Sequence, residues 1–147
     1  MEIFFYHLEQ APLERVLPQL LEKTLERGWR AVVEVGDTER ADALDTSLWT
    51  WRDDSFLPHG RDGGTHDADQ PVLITTGEHN PNGSAIRFFV GGAVPRAEGD
   101  YQRLIYLFDG HDPDVVETAR AAWKALSSGN ACTYWQQEPN GRWVKKG

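Results

Sequence analysis

The sequence predicts an α/β fold, on three observations. Short apolar runs alternate with stretches of helical periodicity in the order β-α-β-α-β-β-β-α. Strand, helix, strand in succession requires crossover connections, hence parallel pairing with helices laid over the sheet. The chain has 147 residues, 39% hydrophobic and 26% charged, which suits one ordinary globular domain. Six Trp, six Phe and four Tyr supply material for a sizeable core. The expectation is a single Rossmann-like three-layer domain over 1–147, with a mostly parallel sheet of about five strands and three main helices. Residues 130–147 form an aromatic and basic C-terminal tail.

The first strand is the apolar run Ile3–Leu8. Leu13, Val16, Leu17, Leu20, Leu21 and Leu25 then recur at the spacing of one helical face. Pro12 fits that helix's first turn and Gly28 its stop. Pro18 either kinks this helix or marks its true start. Arg30–Val35 is the second strand. Gly36-Asp37-Thr38 is a turn with a good N-cap for a second helix over about 39–50. Residues 51–70, rich in Gly, Asp and His, read as a loop. Val72–Thr76, Ala85–Val90 and Arg103–Phe108 are further strands. Glu78–Gly83 is a turn cluster, and Gly91-Gly92 breaks the fourth strand. A third helix runs from about Pro113 to Leu126, with Asp112 as N-cap and Gly129 as stop. Cys132–Lys145 alternates aromatic and polar residues around Pro139-Asn140-Gly141, as a small hairpin or an extended strap.

Several function classes are disfavoured. The net charge of −8 argues against a broad nucleic-acid surface. No apolar run is long enough to span a membrane, and the N-terminus reads as a strand rather than a signal peptide. A lone cysteine, Cys132, makes no internal disulfide and no cysteine zinc site. These features predict a cytoplasmic protein. The turn after the first strand, HLEQAPLE, has no glycine and carries Glu9, so it is a poor pyrophosphate site.

Catalytic signals are weak. The segment HGRDGGTHDAD (His59 to Asp69) has the residue types of a metal or acid-base site, but its spacing fits no ligand pattern. A flexible acidic surface loop explains it more simply. A small metal-dependent or acid-base enzyme using that loop is the competing functional reading. Cys132 has no neighbouring His in sequence, and no nucleophile elbow is present. His7 ends a strand and reads as a structural histidine; the Asp112 carboxylate is explained by capping. No catalytic residue, metal site or cofactor is predicted.

The third helix offers more. Val115, Ala119, Ala122 and Leu126 form one apolar stripe, the core face. Val116, Arg120, Trp123 and Ser127 make a second, with Lys124 one turn beyond Arg120. Trp between two cations suits a peptide with an apolar tip and acidic groups; packing at the edge of the core explains it equally well. From Thr118 onward Arg120, Lys124, Arg142, Lys145 and Lys146 face a single carboxylate, Glu138, a positive pole on an acidic chain. Leu48, Trp49, Trp51, Phe56 and Leu57 crowd the end of the second helix, more apolar surface than such a junction usually buries.

FFYHL, GWRAVVEV, ALDTSLWTWRDDSFLPH, RLIYLFDG, ARAAWK and YWQQEPNGRW, in that order, resemble the chi subunit of bacterial DNA polymerase III. The block from Leu44 to His59 is the most specific piece. The resemblance implies a Rossmann-like, non-catalytic accessory subunit of the replicase. Its implied partners are the psi subunit of the clamp loader and the acidic, Phe-ending tail of single-stranded DNA-binding protein; DNA is reached only indirectly, and no membrane is involved. It assigns tail binding to Arg120, Trp123 and Lys124, with Val116 lining the site, and psi contact to Trp49 and Phe56. Val116 and Ser127 stand where the family carries further cations, and Arg142, Lys145 or Lys146 are candidates to replace them.

Overall fold

The computed structural model describes residues 1–50 and 57–147. One sheet of eight strands carries the fold: β1 (Glu2–Leu8), β2 (Ala31–Val35), β3 (Gly60–Arg61), β4 (Val72–Thr75), β5 (Ile86–Val90), β6 (Arg103–Asp109), β7 (Ala131–Gln137) and β8 (Trp143–Lys145). Their order across the sheet is β3-β4-β2-β5-β6-β1-β7-β8. Among the described residues every pairing is parallel except β7 with β8. The α-helices among the described residues are α1 (Leu13–Glu26), α2 (Thr38–Thr50) and α3 (Pro113–Ser127). The α/β architecture, mostly parallel sheet and three helices follow the sequence expectation. Three strands are additional: two-residue β3 in the 51–70 loop, and β7 and β8 in the tail. The tail is thus both a hairpin and an extension of the sheet, with β7 laid parallel to β1. Among the described residues no helix is long and apolar enough to cross a membrane.

Local chemistry explains the helix ends. Asp37 Oδ1 accepts the Arg40 N–H at 2.8 Å and starts α2. Asp112 Oδ1 accepts from the Asp114 and Val115 N–H groups and starts α3, satisfying donors that a helix N-terminus leaves open. Pro12 lies just outside α1 rather than in its first turn, and Pro18 sits buried inside a helix that continues through it. Gly28, at φ +79°, takes the left-handed conformation that ends α1.

Each face of the sheet has its own core. On one, Val16, Leu17 and Leu21 of α1 and Ala41, Leu44 and Leu48 of α2 pack on Val33, Phe88, Ile105 and their neighbours. On the other, Ala119 of α3 packs with Ile3, Phe5, Leu104, Tyr106 and Phe108. The second face is covered differently over β2 and β5. There Glu34 and Arg87, both buried, lie on adjacent central strands. Glu34 Oε1 accepts from Arg87 Nε (3.0 Å) and Nη2 (2.6 Å) and from Arg96 Nη2 (2.7 Å), and Oε2 from Arg96 Nη1 (2.9 Å). Arg87 also donates to the Gly77 and His79 carbonyls and the Tyr101 hydroxyl. One guanidinium therefore ties the loops after β4 and β5 onto the sheet. A charge in such a place is tolerated only with its hydrogen bonds satisfied.

Backbones meet closely at the carboxyl end of the sheet. The Gly36 N–H bonds the Gly91 carbonyl at 3.2 Å, and a Cβ on Gly36 would lie 2.6 Å from that oxygen. Gly91 and Gly92 have φ of +56° and +98°, which explains why β5 stops there. Gly110, after β6, donates to the Leu8 carbonyl at 2.8 Å, and a Cβ there would run into the His7 ring. That contact fixes where the chain turns into α3.

Candidate functional site

Ala119, 1% exposed, seats α3 on the sheet. Val115, Ala122 and Leu126 of the expected core stripe pack around it, and so do Val116 and Trp123 of the second stripe. Trp123 is half-buried, edge-on to Phe5 (centroids 5.2 Å apart, 77°) and to Tyr134 (5.7 Å, 82°). It is a core-edge residue whose indole also reaches the surface. Arg120 and Lys124 flank it and are exposed. Among the described residues neither has a carboxylate within ion-pair distance. The arrangement presents a fixed ring between two unneutralised cations, three and one residues away along the helix.

The tail adds to this surface. The Lys146 N–H donates to the Tyr134 carbonyl at 2.7 Å, continuing the β7–β8 pairing. Gly147 then lies against Trp123: a Cβ on it would be 3.2 Å from Cζ2 and 3.3 Å from Cη2. The Lys146-Gly147 stretch therefore runs beside the Trp123 ring.

Beneath α3, His7 Nδ1 pairs with the Tyr134 hydroxyl at 2.7 Å. Its Nε2 is buried 3.1 Å from Glu9 Oε1, at an angle that makes no hydrogen bond. Burial pushes His7 below its ordinary range by more than the Glu9 carboxylate raises it, and Arg120 and His111 push the same way. The unfolded chain then takes up this proton first as pH falls. His7 contributes no pH dependence at neutral pH and above, and its contribution to stability declines as pH drops below about 6.5 toward the folded-state value. Melting temperatures measured from neutral to mildly acidic pH should show this decline in the native protein and a flatter profile in His7→Gln.

A second surface lies at the end of α2. Trp49 is 49% exposed, its ring centroid 4.2 Å from that of His59. His59 is buried; Nδ1 meets the Leu57 carbonyl at 2.7 Å, and Nε2 lies 3.2 Å from the Asp45 carbonyl and 3.1 Å from its carboxylate. An oriented imidazole thus supports Trp49 from below. His59 belongs to the interior, unlike the rest of the loop that sequence assigns to the surface. Phe56 lies outside the described residues.

The remaining loop residues serve the fold. Asp67 accepts the Gly63 and Gly64 N–H groups, and exposed His66 lies 4.0 Å from Asp69. Among the described residues no three His, Cys, Asp or Glu side chains come together as a metal site. Burial raises the Cys132 thiol above its ordinary range, opposite to what an activated nucleophile needs. Sequence reasoning missed the Glu34–Arg87–Arg96 cluster, because a single Glu within RAVVEV gives no sign that its partners lie 53 and 62 residues away.

Comparison with known proteins places these features in context. The family model described as DNA polymerase III chi subunit, HolC, matches residues 1–132, from β1 through α3 into β7. A curated relative, the probable DNA polymerase III subunit chi of Rickettsia prowazekii (strain Madrid E), is 28% identical over 81 residues. That alignment takes in 55% of this chain and 49% of the relative, so the chain spans about half the length of that protein.

Proposed function

From the premise that this chain belongs to the DNA polymerase III chi subunit family, we propose that it is a cytoplasmic, non-catalytic accessory subunit of the replicase. It holds the acidic, Phe-ending tail of single-stranded DNA-binding protein on α3 and the psi subunit of the clamp loader on the surface around Trp49. Its access to DNA is indirect, through that coated strand.

The observation that carries the reading is the pair Arg120 and Lys124, unneutralised on either side of Trp123. Carboxylates of the tail meet the two cations, and the terminal ring packs against Trp123 and Val116. Lys146, held beside Trp123 by the Tyr134 carbonyl, supplies charge that Val116 and Ser127 do not. Such a contact is small, consistent with a micromolar Kd, about −8 kcal/mol, and its surface charges make it salt-sensitive. A fluorescent peptide ending in acidic residues and Phe, titrated at low and moderate salt beside a control lacking the Phe, tests this. Binding that weakens with salt and disappears without the Phe is the expected result. Salt-independent binding, or none, overturns the tail assignment.

Trp49 supports the psi assignment, because an aromatic ring exposed on a fixed platform is typical of an interface anchor. Trp49→Ala should leave the chain folded while weakening co-purification with psi at least about tenfold, the effect of losing a central aromatic contact. Unchanged co-purification would remove Trp49 from the interface.

A further inference from the structure

β1 and β6 are neighbours in the sheet, yet their chains leave toward opposite faces, β1 into α1 and β6 into α3. At such a switch point the strand ends open a crevice, the usual ligand position of parallel α/β sheets. Here it is a cavity of about 720 Å³ at the ends of β5, β6 and β1. It shares Leu13, Glu14, Arg40 and Gly91 with a side chamber of about 260 Å³. The two therefore adjoin along those four residues as one groove. Leu8, Leu13 and Leu107 line the main part together with Val94, which is 41% exposed; Val35 and Leu44 line the chamber.

The charges around this groove are predominantly acidic. Glu9, Glu14, Asp109, Asp112 and Asp114 face a single cation, Arg40. Arg40 is already engaged, with Nη1 on the Gly91 carbonyl at 2.8 Å and Nε 3.5 Å from Asp37. Asp112 caps α3, Asp109 accepts the His111 N–H and Glu9 accepts from Gln136. Among the described residues Glu14 and Asp114, in the first turns of α1 and α3, have no cationic partner. A phosphate-bearing ligand meets five carboxylates and a single cation that is already engaged. A polyamine leaves the apolar lining unused.

We propose that the groove receives an extended basic segment of a protein partner. An apolar side chain of that segment enters between Leu13 and Val94, and its Arg or Lys groups pair with Glu14 and Asp114. The proposal does not rest on the tail or psi assignments, which involve other residues and, for the tail, a ligand of opposite charge.

The probe is a short peptide of leucines flanked by arginines, titrated against the intact chain at low salt and followed by methyl NMR. Expected are saturable shifts at the methyls of Leu13, Val94 and Val115, and affinity about tenfold lower for Glu14→Gln/Asp114→Asn, the effect of losing charge-assisted bonds. Glu26→Gln/Asp69→Asn, which removes the same charge at exposed positions outside the groove, should bind as the native chain does. Replacing the leucines by serines should abolish the methyl shifts. Equal loss in both double variants, full competition by spermine, or no shift at these methyls would overturn the proposal. The acidic Phe-ending peptide, titrated in parallel, reports separately on the α3 surface.

Discussion

Glu34→Gln is expected to destabilise the fold by about 3 kcal/mol, the lower part of the range for breaking a buried ion pair, because Arg96 keeps some access to water. For a chain of this size that corresponds to a fall of about 10 °C in melting temperature. The amide keeps one acceptor oxygen but not the charge, so Arg87, 2% exposed, is left as an uncompensated buried cation. The loops that Arg87 holds, at Gly77, His79 and Tyr101, should lose protection from hydrogen exchange before the sheet does. The pair Glu2–Arg103, at 2.9 Å and with its carboxylate exposed, provides the contrast: Glu2→Gln should cost less than about 1 kcal/mol. pH gives a second readout. Burial acts to raise the Glu34 carboxyl, but the hydrogen bonds and charges of Arg96 and Arg87 outweigh it and hold it below the ordinary range. The stabilisation is therefore complete above the ordinary glutamate pKa and is lost as pH falls through the folded value. Urea unfolding at neutral and acidic pH should show the native protein and Glu34→Gln converging in acid.

Arg120→Ala/Lys124→Ala is expected to weaken the acidic Phe-ending peptide about 30-fold at low salt, roughly one tenfold step or slightly less per charged contact. Both side chains are exposed and, among the described residues, without an ion-pair partner, so thermal stability should change little. The same titration at high salt should show a much smaller gap. Trp123→Ala is a different case. Its ring packs on Phe5 and Tyr134, so that variant loses stability together with binding and cannot separate the two. An affinity unchanged in the double variant, with the fold intact, would remove α3 as the tail site.

What sequence reveals here follows from distance along the chain. The face of α1, the Asp112 cap and the Gly91-Gly92 stop are local patterns, visible within a few residues. Trp123 was ambiguous for a physical reason: a helix with two apolar stripes can bury one or both, and here both pack. The tail reads as a hairpin or an extended strap around Pro139-Asn140-Gly141, but the pairing of Tyr134 with Phe5 leaves no local trace. The Glu34 cluster and the groove between the ends of β1 and β6 exist only after distant segments meet. Of the psi-contact residues expected from the family, Trp49 is on a described surface and Phe56 is outside the described residues.

The position of β1 sets a timetable for synthesis. Its neighbours are β6 and β7, whose pairings begin at Arg103 and Ala131. At roughly 5–20 residues per second, a ribosome needs about 5–20 s between making β1 and delivering β6. Through that interval the run IFFYHL has neither of its sheet neighbours and is a natural client for a chaperone. Gln137 then receives the Gln10 and Ala11 N–H groups at 2.9 Å each, so the start of α1 is secured by a segment 126 residues further along the chain.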